Sequence, residues 1–209
     1  MDLIFDIDGT LWNTTEVVAK AWNHAAKESG LLKSGDFNVT ADMLKKEFGK
    51  PMDVIADDIF GDIGAKVKAD LLKLCCIYEH EAIEACNDDL TYPEVRETLR
   101  ELSKRHKLFI VSNCQDGYIE LVMKKNGIED IITDFESFGR TGLQKDENIT
   151  LVIERNHLEN PVYIGDTAGD EIASKKAGIP FAFCKYGFGE VKNPDYTVDT
   201  FKELLRIFP

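Results

Sequence analysis

The stretch LIFDIDGTLW, residues 3–12, places two aspartates, Asp6 and Asp8, one residue apart directly behind an apolar run. Carboxylates are costly to bury unpaired, so a pair at the end of a hydrophobic strand calls for a cation, a proton or a reaction. Further polar groups end other apolar runs. Ser112 and Asn113 close KLFIVSN (107–113), Asp166 closes PVYIGD (161–166) with Asp170 four residues on, and Lys145 opens a helical stretch behind GRTGLQK. This is the set that phosphoryl transfer through an aspartyl phosphate requires: carboxylates for a hard cation, a carboxylate nucleophile, an acid, and neutral or cationic groups for a phosphate.

The spacings suit those roles. Alternate residues of an extended chain project to one side about 6.6 Å apart, from roughly 3.3 Å per residue. Asp6 could therefore attack phosphorus while Asp8, just past the strand end, protonates the leaving oxygen. Gly9 permits a tight turn that brings backbone N–H groups near the phosphate. Asp166 and Asp170 share a face if the strand end runs into a helix. With Asp6 they would make an oxygen-rich site suited to Mg²⁺. Ser112 and Asn113 offer a hydroxyl and N–H groups, and Lys145 a point charge that also favours ionised Asp6. Each group has a plainer alternative: an Asp-Gly turn, acids at a helix N-terminus, helix caps, a surface lysine. Four such features in order argue against coincidence.

These residues need strands that end together. The runs at 3–8, 107–113, 161–166 and 179–184 are continuously apolar, as expected of strands buried on both faces in a parallel sheet; DIITD (130–134) and DYTVD (195–199) are weaker candidates. Helical patterns lie between them at 93–105 (opened by Pro93), 116–126 (closed by Gly127), 145–156 and 168–177 (closed by Gly178). The alternation predicts an α/β fold, a doubly wound parallel sheet, whose ligands bind at the carboxyl ends of the strands. Residues 14–89 break the pattern with helices alone, among them 14–29, with Val18, Ala21, Trp22, Ala25 and Ala26 at helical spacing, and 64–87. The expected organisation is a core of 1–13 and 90–209 with a helical cap of 14–89 inserted after the first strand, joined near 12–15 and 88–92.

With these pieces in view, the chain resembles the haloacid dehalogenase superfamily, in its phosphatase branch with a helical cap. DIDGT, VSN, the lysine at 145 and GDTAGD match the four family motifs in order. The resemblance implies Asp6 as nucleophile and Asp8 as general acid and then base. It implies Ser112 and Lys145 as phosphate holders, and Mg²⁺ bound by Asp6, Asp166 and the backbone carbonyl of Asp8, with Asp170 helping through the metal's waters or ligating it directly. It also implies that the cap segment EFGKPMD (47–53) faces the site, which makes Lys50 a candidate substrate contact. The expected activity is hydrolysis of a small phosphorylated metabolite, such as phosphoglycolate or a sugar phosphate. A phosphomutase resembling β-phosphoglucomutase and a binding module without turnover are the alternatives. One departure stands out: Trp12, Asn13 and Thr14 occupy positions where many relatives carry valine or isoleucine and an Asp-Ser pair.

Composition narrows the partners. With 25 basic against 38 acidic residues the net charge is -13, and no basic cluster occurs, which argues against nucleic acid or an anionic membrane. The five cysteines include no CxxC pair and read as reduced, packing thiols. No signal-peptide pattern and no 18-residue apolar span is present, so a cytoplasmic address is expected; a monomer or weak homodimer is the expected state, on no specific sequence feature.

Overall fold

A computed structural model describes residues 1–32 and 37–209. The chain divides into two compact units, residues 1–13 with 90–209, and residues 14–89.

The first unit is built on six strands: β1 (Asp2–Phe5), β2 (Lys107–Ser112), β3 (Ile132–Ser137), β4 (Pro161–Gly165), β5 (Phe181–Cys184) and β6 (Tyr196–Val198). They pair in parallel in the order β3-β2-β1-β4-β5-β6. Strand order therefore reverses between β1 and β4, the position at which open α/β sheets bind ligands outside the carboxyl ends. The expected doubly wound sheet is what forms. Leu3, Ile4 and Phe5 are fully buried, as are Leu108 to Val111 and Tyr163 with Ile164, so the continuous apolar runs do mark two-sided burial. Each such side chain contributes about 1.5–3 kcal/mol by leaving water.

The helices of this unit are α5 (Val95–Leu102), α6 (Tyr118–Asn126), α7 (Phe138–Thr141), α8 (Lys145–Asn156), α9 (Ala168–Lys176) and α10 (Leu204–Ile207), the last preceded by a 3₁₀ turn at Phe201–Glu203. On one face of the sheet Ile4, Phe109, Val111, Tyr163 and Phe181 pack with Ile149 and Val152 of α8 and Ala173 of α9. Period two along β1 sends Asp6 to the same side as Ile4, toward the helix that opens at Lys145.

Among the boundaries that differ from expectation, three have a clear local cause. β3 runs over 132–137, not 130–134, because Ile131 and Ile132 donate back to the Ile128 carbonyl in a turn. Its acids are tolerated because Arg155 bonds Asp134 at 2.8 Å and the buried Glu136 at 2.9 Å. α5 starts two residues after Pro93, behind Glu94 in a left-handed conformation. α6 starts at Tyr118 behind Gly117, so neither Ser112 nor Asn113 caps it.

The second unit is helical: α1 (Thr15–Ser29), α2 (Ala41–Glu47), α3 (Met52–Phe60) and α4 (Ala65–Ala85). Val18, Ala21, Trp22, Ala25 and Ala26 form the buried stripe of α1, and left-handed Gly30 ends the helix. Trp22 donates its indole N–H to buried Glu79 of α4 at 2.8 Å, which ties the two longest helices of the unit together. Among the described residues no helix is long and apolar enough to cross a membrane.

Candidate active site

β1 ends at Phe5, yet the Asp6 amide still donates to the Ile164 carbonyl at 2.9 Å, so the sheet ladder itself fixes Asp6. The carboxylate is 1% exposed. Its Oδ1 accepts from Lys145 Nζ at 3.1 Å, and its Oδ2 is buried without a hydrogen-bond partner. Lys145, the first residue of α8, also donates to Asp170 Oδ1 at 2.6 Å. A capping box, Gln144 with Glu147, sets the start of that helix and so the reach of the lysine.

Asp166 follows β4 and is fully buried; its Oδ1 accepts from Thr10 Oγ1 at 3.1 Å and its Oδ2 from the Phe188 amide at 2.7 Å. Asp170 is brought to it differently from the expectation of two acids on one helix face. Asp166 lies outside the helix. Thr167 is the N-cap of α9, and the Asp170 carboxylate turns back in a capping box, where Oδ2 accepts from the Asp166 and Thr167 amides and from Thr167 Oγ1. The helix start thus presents both carboxyl groups to one pocket.

Among the described residues, Asp6, Asp166 and Asp170 form a group whose ligand oxygens lie within 4.8 Å of one another. Three buried carboxylates against one ammonium leave an excess of negative charge, which a low-dielectric interior does not tolerate without a cation or protons. The titration behaviour expresses that deficit. Burial, opposed by Lys145 and reinforced by Asp170, pushes Asp6 from 3.8 up to about 6. Burial, with Asp170 and Asp6 adding, pushes Asp166 well above the carboxylate range. Burial disfavours the charge on Lys145, but Asp170 and Asp6 outweigh it and hold the ammonium protonated above its usual range. The orphaned Oδ2 of Asp6 and the all-oxygen donor set fit a hard divalent cation such as Mg²⁺.

Gly9 has φ +85°, and a Cβ there would collide with the Asp166 carboxylate, so this turn requires glycine. Ser112 ends β2 and Asn113 follows it; both are buried. Asp8 accepts on Oδ1 from Trp12 Nε1 at 3.1 Å and from Tyr118 Oη at 2.8 Å. Lys50 belongs to the helical unit, between α2 and α3, where it bonds Glu47 at 2.6 Å and Asp58 at 2.9 Å.

Several contributors were missed in the sequence. Thr10 and the Phe188 amide hold Asp166, Tyr186 donates to the Thr10 carbonyl at 2.8 Å, and Gly187 lets the chain after β5 lie against Asp166. The glycine pair in KYGFGE was the one available signal for that close approach.

The model of the haloacid dehalogenase-like hydrolase family matches residues 3–184. The chain belongs to this family. A phosphoglycolate phosphatase of Aquifex aeolicus is 26% identical, with 98% of this chain and 95% of that protein covered. The pyrophosphatase PpaX of Oceanobacillus iheyensis is 24% identical over the same shares. Among solved structures, a haloacid dehalogenase-like family hydrolase from Streptococcus pneumoniae superposes with a TM-score of 0.82 at 22% identity, covering 100% of this chain and 98% of that one. A predicted phosphoglycolate phosphatase from Haemophilus somnus gives 0.84 at 21% identity, covering 100% and 97%. The protein is therefore a haloacid dehalogenase-like hydrolase, and the curated relatives it resembles along nearly its whole length are phosphatases by name.

Proposed function

We propose that the protein is a Mg²⁺-dependent phosphatase that hydrolyses a small phosphate monoester through an aspartyl phosphate on Asp6. The observation that carries the reading is the buried Asp6 carboxylate. It has one oxygen on Lys145 and one without a partner, beside two further buried carboxylates whose ligand oxygens could share a cation with it.

In this reading Asp6 attacks phosphorus. Asp8 gives its proton to the leaving oxygen and later takes one from the water that hydrolyses the phospho-Asp6. Ser112, Asn113 and the Gly9 turn donate to phosphate oxygens, and Lys145 holds Asp6 ionised while offering charge to the phosphate. Asp6, Asp166 and the backbone carbonyl of Asp8 would hold Mg²⁺. Asp170, whose Oδ2 is committed to the helix start and whose Oδ1 carries Lys145, contributes charge and positions both. When bound, the ion supplies Lewis-acid polarisation and relieves repulsion between the anionic nucleophile and the anionic substrate. Lys50 is a candidate substrate contact from the helical unit, and the unit itself is proposed as the substrate-selecting cap.

The names of the relatives make phosphoglycolate and inorganic pyrophosphate the first substrates to try. Phosphate release from a panel of small monoesters, with and without Mg²⁺, for wild type beside Asp6→Asn, tests the proposal. Activity requiring both the metal and Asp6 supports it. Turnover that survives Asp6→Asn sinks it, as does none by the wild type on any monoester.

A further inference from the structure

Asp8 is held by two donors from separate elements, and both converge on the same oxygen. Trp12 reaches Oδ1 from the turn behind β1, where its own amide donates to the Ile7 carbonyl and its carbonyl accepts from Gly9. Tyr118 reaches Oδ1 from the first residue of α6. Both side chains are 1% exposed, and their rings meet edge to face at 5.8 Å, so neither donor can swing away without disturbing the other.

Resting on the phosphatase reading above, we propose that Trp12 and Tyr118 are positioning residues that fix which oxygen of Asp8 delivers the proton. A carboxyl oxygen has two lone pairs, and on Oδ1 both are taken by an N–H and an O–H. The acid form of Asp8 therefore carries its proton on Oδ2. As Asp6 forms its bond to phosphorus, the bond from phosphorus to the leaving oxygen breaks. The electron pair goes to that oxygen, which takes the proton from Oδ2. Asp8 is left as a carboxylate whose new charge meets the Trp12 and Tyr118 donors already in place. The clamp thus acts on the step in which the leaving group needs a proton, and on that step in proportion to the need.

The test compares two leaving groups in one preparation. Single-turnover release is measured with Mg²⁺ for p-nitrophenyl phosphate, whose phenolate leaves without a proton. It is also measured for whichever of phosphoglycolate, glycerol 3-phosphate and glucose 6-phosphate the wild type turns over fastest. Tyr118→Phe keeps the ring and removes the hydroxyl. It is expected to slow alcohol release by about 10- to 100-fold, part of what a general acid supplies, and nitrophenol release by less than about 3-fold, with similar KM. Trp12→Phe is expected to discriminate in the same direction. The ratio of the two rates cancels the fraction of folded enzyme, so a poorly folding variant still reports. Equal slowing of both esters in both variants, or a change confined to KM, overturns the proposal alone, provided that wild type is active and Asp6→Asn is not. Wild type that hydrolyses p-nitrophenyl phosphate but releases alcohol from none of the three esters overturns the proposal alone; wild type that hydrolyses none of the four overturns the phosphatase reading and the proposal with it.

Discussion

The excess of buried negative charge has a thermodynamic signature that is measurable without any substrate. Burial raises Asp6 from 3.8 to about 6, so between those values the folded protein binds more protons than the unfolded chain. Stability contributed by this group is therefore present at low pH and lost as pH rises through about 6. At about 1.4 kcal/mol per pH unit the loss amounts to about 3 kcal/mol, and Asp166, raised for the same reason, adds in the same direction. Asp6→Asn removes the ionisable group while keeping its size. Denaturant unfolding of wild type and Asp6→Asn, both with EDTA, is compared at pH 4.5 and 7.5, and the difference between the two proteins cancels titration elsewhere. The variant is expected to be about 3 kcal/mol more stable than wild type at pH 7.5 but only about 1 kcal/mol more stable at pH 4.5, where the loss has just begun. Saturating Mg²⁺ is expected to close most of the gap at pH 7.5 by stabilising wild type. A difference independent of pH, or a variant less stable than wild type at pH 7.5, would mean that burial does not raise Asp6.

Other perturbations probe the same framework. Lys145→Met removes the one ammonium among the three carboxylates. It should cost about 3–5 kcal/mol of stability at neutral pH without metal and abolish phosphate release, as denaturant melts and the Mg²⁺ assay will show. Gly9→Ala meets both an unfavourable φ and the Asp166 carboxylate. A loss of at least about 1–2 kcal/mol with weakened Mg²⁺ binding by calorimetry is expected, and a neutral result would mean that the turn is softer than it looks. Trp22→Phe takes a donor from buried Glu79 in the helical unit, and thermal unfolding should register about 1–3 kcal/mol with catalysis on p-nitrophenyl phosphate unchanged.

Much of this arrangement was legible in the sequence, for identifiable reasons. Strands buried on both faces are continuously apolar, and in a parallel sheet their carboxyl ends gather, so polar residues that terminate such runs announce a site: Asp6, Ser112 and Asp166 all do. Lys145 was legible only beside them. β3 was displaced because its signal is diluted by Asp134 and Glu136, whose compensation by Arg155 comes from a helix 21 and 19 residues away in sequence. The short helices α7 and α10 have too few residues for a period to show. What the sequence hid at the site is of one kind: Tyr118 on Asp8, the Phe188 amide on Asp166 and Tyr186 on Thr10 are contacts between distant elements, with no spacing rule to reveal them. The spacing of four shows Asp170 as a partner of Asp166, but not its route there through the N-cap at Thr167, because a capping box leaves no periodic signal.

A phosphoryl group carried by Asp6 can be trapped there. Wild type mixed with Mg²⁺ and its best monoester is acid-quenched in steady state, reduced with borohydride and mapped by peptide mass spectrometry, with Asp6→Asn alongside. The reduced residue is expected at position 6 in wild type, and no modification in the variant. Turnover with position 6 unmodified under conditions that trap a reference aspartyl phosphate, or the phosphate on another residue, would contradict Asp6 as the carrier.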